Sequence, residues 1–75
     1  MAISVYILIQ ARAGEAWNIT EKIAKMKGVK MAHTVTGIYD VIAYAELDSL
    51  EEIKNIITEV QNLKGIDKTH TAISF

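Results

Sequence analysis

"MKGVKMAHT" spans Met26–Thr34, and "LKGIDKTHT" spans Leu63–Thr71. The stretches agree at Lys-Gly, at the β-branched residue after it and at the closing His-Thr, with one offset of 37 residues throughout. A glycine directly after a helical pattern and before a strand pattern marks a helix end. The chain therefore contains helix, glycine and strand twice. Upstream of Gly28, Ala16, Ile19, Ile23 and Met26 fall at helical spacing over Glu15–Lys27, with Glu15 in the first turn and Lys25 and Lys27 in the last. Upstream of Gly65, "DSLEEIKNIITEVQNLKG" opens on Ser49-x-x-Glu52, a capping-box pattern, and carries a stripe of Leu50, Ile53, Ile57 and Val60. Strands are expected at Ile3–Ala11, where Ile3, Val5, Ile7 and Ile9 recur with period two, and at Val29–Thr36, Asp40–Leu47 and Ile66–Phe75. A hairpin at Gly37-Ile38-Tyr39 joins the middle pair. Each half is then one β-α-β unit. Together they predict an α+β, ferredoxin-like βαββαβ fold, a four-stranded antiparallel sheet with two helices on one face.

The 75 residues allow a single domain near the lower limit for a self-sufficient core. The absence of cysteine removes disulfide and thiolate-metal reinforcement, so self-association is the expected source of extra burial. No apolar run reaches the ~20 residues of a membrane span, and "MAISVYILIQ" lacks the basic start of a signal peptide, which predicts a cytoplasmic protein. With a net charge of −1 and mixed signs, direct DNA binding is not expected.

Helices cover only one side of such a sheet, and a side left to water should be polar. Here it is not. Tyr6 and Leu8 on the first strand, with Ile42 and Tyr44 on the third, oppose the helix-facing register. Burying about 200–400 Å² of that face at about 25 cal/mol/Å² stabilises by several kcal/mol, so a sheet-to-sheet homodimer through these four residues is expected.

Few residues can carry chemistry. His33 and His70 hold equivalent repeat positions on opposite edge strands, about 14 Å apart at ~4.8 Å per strand, so one chain cannot chelate with both and no metal is expected. Nucleophile motifs and Gly-rich phosphate loops are absent from the sequence, which predicts no catalytic residues and no cofactor. Trp17 falls off the apolar stripe of its helix and reads as a surface contact. In "TGIYD", Thr36–Asp40, Asp40 either accepts hydrogen bonds from turn amides or offers a carboxylate to the ammonium of a small zwitterion. In the second reading, bare amides around Gly37 take the carboxylate, and Thr69 and Thr71 complete the site at a junction between chains.

With its Thr36-Gly37-x-Tyr39-Asp40 hairpin, apolar following strand and "DKTHT" segment, the whole chain resembles the effector-binding RAM domain of the Lrp/AsnC (feast/famine) regulators. The resemblance implies sheet-to-sheet dimers in a dimeric α+β barrel-like assembly, octamer-like rings of dimers, and an amino acid bound between dimers. It places Gly37, Tyr39, Asp40, Thr69 and Thr71 at the ligand. Family regulators carry an N-terminal helix-turn-helix domain, whereas this sequence begins two residues before its first strand. The expectation is a stand-alone, non-enzymatic module that senses an amino acid, co-assembles with full-length regulators or modulates an enzyme. The alternatives are a small monooxygenase-like enzyme of the same dimeric topology and a ligand-free structural oligomer.

Overall fold

The computed structural model describes residues 2–74. Its elements are β1 (Ile3–Ala11), α1 (Ala16–Ala24), β2 (Val29–Thr34), β3 (Val41–Leu47), α2 (Leu50–Gln61) and β4 (Ile66–Ser74). They form one antiparallel sheet in the order β2-β3-β1-β4, so the two repeated strands lie on opposite edges. This is the ferredoxin-like arrangement expected from the repeat.

The period-two pattern of β1 becomes a division between faces. Val5, Ile7 and Ile9 meet Val41, Ala43 and Ala45 of β3 under Ile19 and Ile23 of α1 and Ile53, Ile56 and Val60 of α2. All are buried, and no buried polar residue interrupts them among the described residues. At the edge of this layer the Thr20 and Thr34 hydroxyls, 2.7 Å apart, join α1 to β2.

Several boundaries shift from the sequence reading. Helix α1 ends at Ala24, not Lys27, because Lys25 and Met26 donate to Lys22 and Ile23, three residues back, and tighten the chain into a turn. Gly28 completes that turn at φ +86°, where a Cβ would stand against the Leu47 side chain and 2.9 Å from the Glu46 carbonyl oxygen. Helix α2 is capped as expected at Ser49, whose Oγ accepts from the Glu52 N–H, while the Glu52 carboxylate accepts from the Asp48 N–H at 2.8 Å. The Asp48 amide, followed by Lys27 at 3.4 Å, holds the Glu52 carboxyl below its ordinary pKa. The apolar stripe of α2 is rotated from the expected one. Ile56 is buried, Ile57 is half-buried, and Leu50, the first helical residue, is exposed beyond the end of β3. Strand β2 stops at Thr34 and β3 begins at Val41, so the connection is longer than the three residues expected. Phe75, placed in the last strand by the sequence, lies outside the described residues.

The uncovered face carries Tyr6 opposite Tyr44 and Leu8 opposite Ile42 as a two-by-two block. Their rows extend outward, Tyr44 to Met31 and Tyr6 to Ala72, then Ile42 to His33 and Leu8 to His70. His33 therefore belongs to the open face, not to the helix-facing register. The tyrosine rings lie 5.0 Å apart, and Tyr6 is 45% exposed in the isolated chain. Tyr44 Oη accepts from the Ser4 hydroxyl at 3.0 Å and donates to Glu46 at 2.8 Å. The Ser4 bond favours the phenolate, but the Glu46 bond, partial loss of water and neighbouring charge together raise the Tyr44 pKa.

Candidate functional site: the 35–40 hairpin

The connection between β2 and β3 closes through one backbone bond, from the Val35 N–H to the Asp40 carbonyl at 2.8 Å. It then bends over the end of β1. Asp40 donates its N–H to the Ile9 carbonyl, its Oδ2 accepts the Ala11 N–H at 2.8 Å, and Gln10 Nε2 donates to the Ile38 carbonyl at 3.0 Å. The Ala11 bond falls where β1 shifts register against β4 between Gln10 and Ala11. Asp40 thus anchors the hairpin to an irregular strand end, and its partner is a β1 amide rather than an amide of the turn itself.

What the hairpin leaves open is equally specific. No hydrogen bond among the described residues uses the N–H of Thr36, Gly37, Ile38 or Tyr39, or Oδ1 of Asp40. Gly37 has φ +121°, and nothing lies within 4 Å of where its Cβ would stand. A row of free amides beside an empty glycine surface and a carboxylate oxygen suits a ligand bearing both an anionic and a cationic group.

Tyr39 reaches across to β4, where its ring meets the His70 imidazole edge-on at 5.7 Å. The hairpin therefore joins Gly37, Tyr39 and Asp40 to Gln10 and His70. Thr69 and Thr71 pair with Ile9 and Ile7 and so lie on the helix-facing side of β4, opposite His70. Thr69 is half-buried, Thr71 is exposed, and no hydrogen bond links either to the hairpin among the described residues. Within one chain the five residues do not form a single cluster. Gln10 and His70 are the contacts that sequence reasoning missed. The available signal was the alternation itself, which puts His70 on the face opposite its two threonine neighbours.

Residues 4–75 match the model of the Lrp/AsnC ligand binding domain. The chain belongs to the Lrp/AsnC family. A curated Lrp/AsnC-type relative, the HTH-type transcriptional regulator FL11 of Pyrococcus furiosus, is 30% identical over 71 residues, covering 95% of this chain and 47% of the regulator. The Lrp/AsnC domain described here thus spans about half the length of the curated regulators it matches. Among solved structures, TTHA0845 from Thermus thermophilus superposes with a TM-score of 0.91 at 31% identity, covering 97% of this chain and 92% of that one. The hypothetical protein PHS023 from Pyrococcus horikoshii gives 0.90 at 34% identity, over 97% and 89%. The matched relatives are named as transcriptional regulators. No three His, Cys, Asp or Glu side chains are grouped to hold a metal ion among the described residues, and no helix among them is long and apolar enough to cross a membrane.

Proposed function

We propose that this Lrp/AsnC domain is a cytoplasmic, non-enzymatic amino-acid-binding module whose ligand controls its assembly. The observation that carries this reading is the row of unpaired amides from Thr36 to Tyr39 beside the free Oδ1 of Asp40. The amides receive an α-carboxylate and Asp40 receives an α-ammonium, while the open surface at Gly37 lets the ligand approach the backbone. Thr69 and Thr71 face away from the hairpin of their own chain, so they serve a ligand held by a neighbouring chain's hairpin. Such a site is complete only between subunits.

The assembly begins with the open face. Tyr6, Leu8, Ile42 and Tyr44 form the contact between two sheets, and these dimers associate further into an octamer-like ring. A ligand that touches two dimers binds the ring better than separate dimers and shifts assembly by that difference in affinity. The same face pairs with the matching domain of a full-length Lrp/AsnC regulator, which provides a route from amino-acid binding to transcription. An enzymatic reading has less support. The space between helices and sheet is filled by aliphatic side chains, and His33, the residue best suited to line a cavity there, points to the other face.

Native mass spectrometry with and without a mixture of the common amino acids tests this. The expected result is a multiple of dimers that gains amino-acid mass or changes its subunit number. A ring that stays ligand-free throughout refutes ligand control and favours the purely structural role for Asp40. Turnover of a quinol-like substrate would refute the non-enzymatic reading.

A further inference from the structure

On the open face, one row crosses the sheet as His33, Ile42, Leu8 and His70, with an imidazole at each edge. Ile42 and Leu8 lie at its centre, and the adjacent row reads Met31, Tyr44, Tyr6 and Ala72. Because β3 and β1 are the two central strands, a face-to-face dimer has two simple choices for its two-fold axis. An axis parallel to the strands exchanges β1 with β3 and β2 with β4. An axis perpendicular to the strands keeps each strand over its own copy and reverses its direction.

The side chains discriminate between these. The parallel axis lays Tyr6 over the partner's Tyr44, Leu8 over the partner's Ile42, and bulky Met31 over the partner's small Ala72. It also sets Ser4 over the partner's Glu46, a hydroxyl against a carboxylate. The perpendicular axis lays the tyrosine row over the aliphatic row and brings Glu46 towards the partner's Asp40, carboxylate against carboxylate. Size and charge both favour the parallel axis.

Resting on the dimer proposed above, the geometry points to a two-fold along the strands that sets His33 against the partner's His70 at both margins of the interface, making dimerisation proton-linked. The placement survives the normal misalignment of packed sheets. An edge strand lies about 7 Å from the axis, so a 30° crossing slips it by about 4 Å, less than the roughly 6.8 Å between successive residues on one face. The groups around these imidazoles are few. His33 adjoins Ile42 in its row and Met31 along β2, while His70 adjoins Leu8, the edge-on ring of Tyr39, and Lys68 and Ala72 along β4. Glu46 is two rows away, whereas Asp40, whose Oδ2 is held by the Ala11 N–H, lies in the neighbouring row that also carries Lys68. Protonating two facing imidazoles puts like charges together, and because Lys68 and Asp40 in the neighbouring row oppose each other in sign, the repulsion between the imidazoles sets the direction. Histidine changes charge between about pH 5 and 8, so the separated chains bind more protons than the dimer over that range. The dimer weakens as pH falls.

The native chain contains no cysteine, so introduced thiols report cleanly. The double variant His33→Cys/His70→Cys, treated with a short bis-maleimide, yields a covalent dimer, while either single variant yields little. Strong cross-linking of the His33→Cys single variant overturns the orientation, because only the perpendicular axis brings that position close to itself. In that case the sheet dimer still stands. A wild-type chain that is monomeric by sedimentation at all concentrations instead removes the dimer itself. For the proton linkage, the dimer dissociation constant rises at least tenfold from about pH 7.5 to about pH 5.5, and His33→Gln with His70→Gln flattens the profile. An unchanged slope in that variant refutes the histidine pairing.

Discussion

Oδ2 of Asp40 anchors the hairpin and Oδ1 is the proposed ligand contact, and a pair of substitutions separates the two. Oδ2 accepts the Ala11 N–H at 2.8 Å, at the half-buried end of β1. A hydrogen bond to a charged group contributes about 1.5–3 kcal/mol. Asp40→Ala removes it and leaves the Ala11 amide without its acceptor. Taking about 2 kcal/mol, and about 4–8 °C per kcal/mol for a domain of this size, the melting temperature falls by about 8–16 °C. Asp40→Asn presents an amide oxygen in the same place and loses only the charge assistance, so its loss is about half as large. Ligand binding orders the variants differently. Both substitutions remove the carboxylate of the proposed ammonium contact, so both should lower amino-acid affinity at least tenfold, about 1.4 kcal/mol. Denaturation at fixed chain concentration, combined with calorimetric titration of the amino acid identified by mass spectrometry, measures both quantities. An Asp40→Asn variant that binds as wild type would refute the ammonium contact. An Asp40→Ala variant with an unchanged melting temperature would refute the anchoring bond to Ala11.

Leu8→Asp places a charge in the proposed sheet contact at a cost of about 3 kcal/mol or more, so size exclusion should show monomers or aggregates; a dimer of unchanged mass would place the interface elsewhere. Gly28→Ala combines a left-handed φ of +86° with collision against Leu47 and the Glu46 carbonyl, whereas Gly14→Ala, at φ +82° with nothing within 4 Å, meets only the backbone term. Denaturant titration should give losses of about 2–5 and about 1–2 kcal/mol respectively, and equal losses would remove the packing argument. Ser49→Ala should cost about 1 kcal/mol through the lost cap on α2. Because the folded-state pKa of Glu52 is lowered, its contribution is complete above the ordinary glutamate value and is lost as pH falls through the folded value. Thermal melts below about pH 5 should therefore be less steep in pH for Glu52→Gln than for wild type.

The element order was legible because the repeat places a glycine at the same step of each half, and Gly28 and Gly65 both adopt positive φ where a helix gives way to an edge strand. The apolar block of Tyr6, Leu8, Ile42 and Tyr44 was legible from period two alone. Finer phase was not. Helical spacing could not choose between the stripes Leu50-Ile53-Ile57-Val60 and Ile53-Ile56-Val60, since both satisfy three- and four-residue steps and only the extent of the sheet beneath decides. The hairpin was harder still. Its meeting with His70 depends on a bend over β1 held by Gln10, Ala11 and Asp40, contacts between segments far apart in the chain. A local pattern identifies Asp40 as unusual without revealing which amide it will hold.

β4 has one partner strand, β1, and no fully buried residue. After Asp67 and Lys68 it continues as Thr69–Ser74, "THTAIS", six residues without an acid, lysine or arginine. A β-prone edge of that length without a permanent charge is a template on which further chains can add edge to edge. A lysine introduced at Ala72 or Ser74 should suppress fibril formation more effectively than one added to either helix.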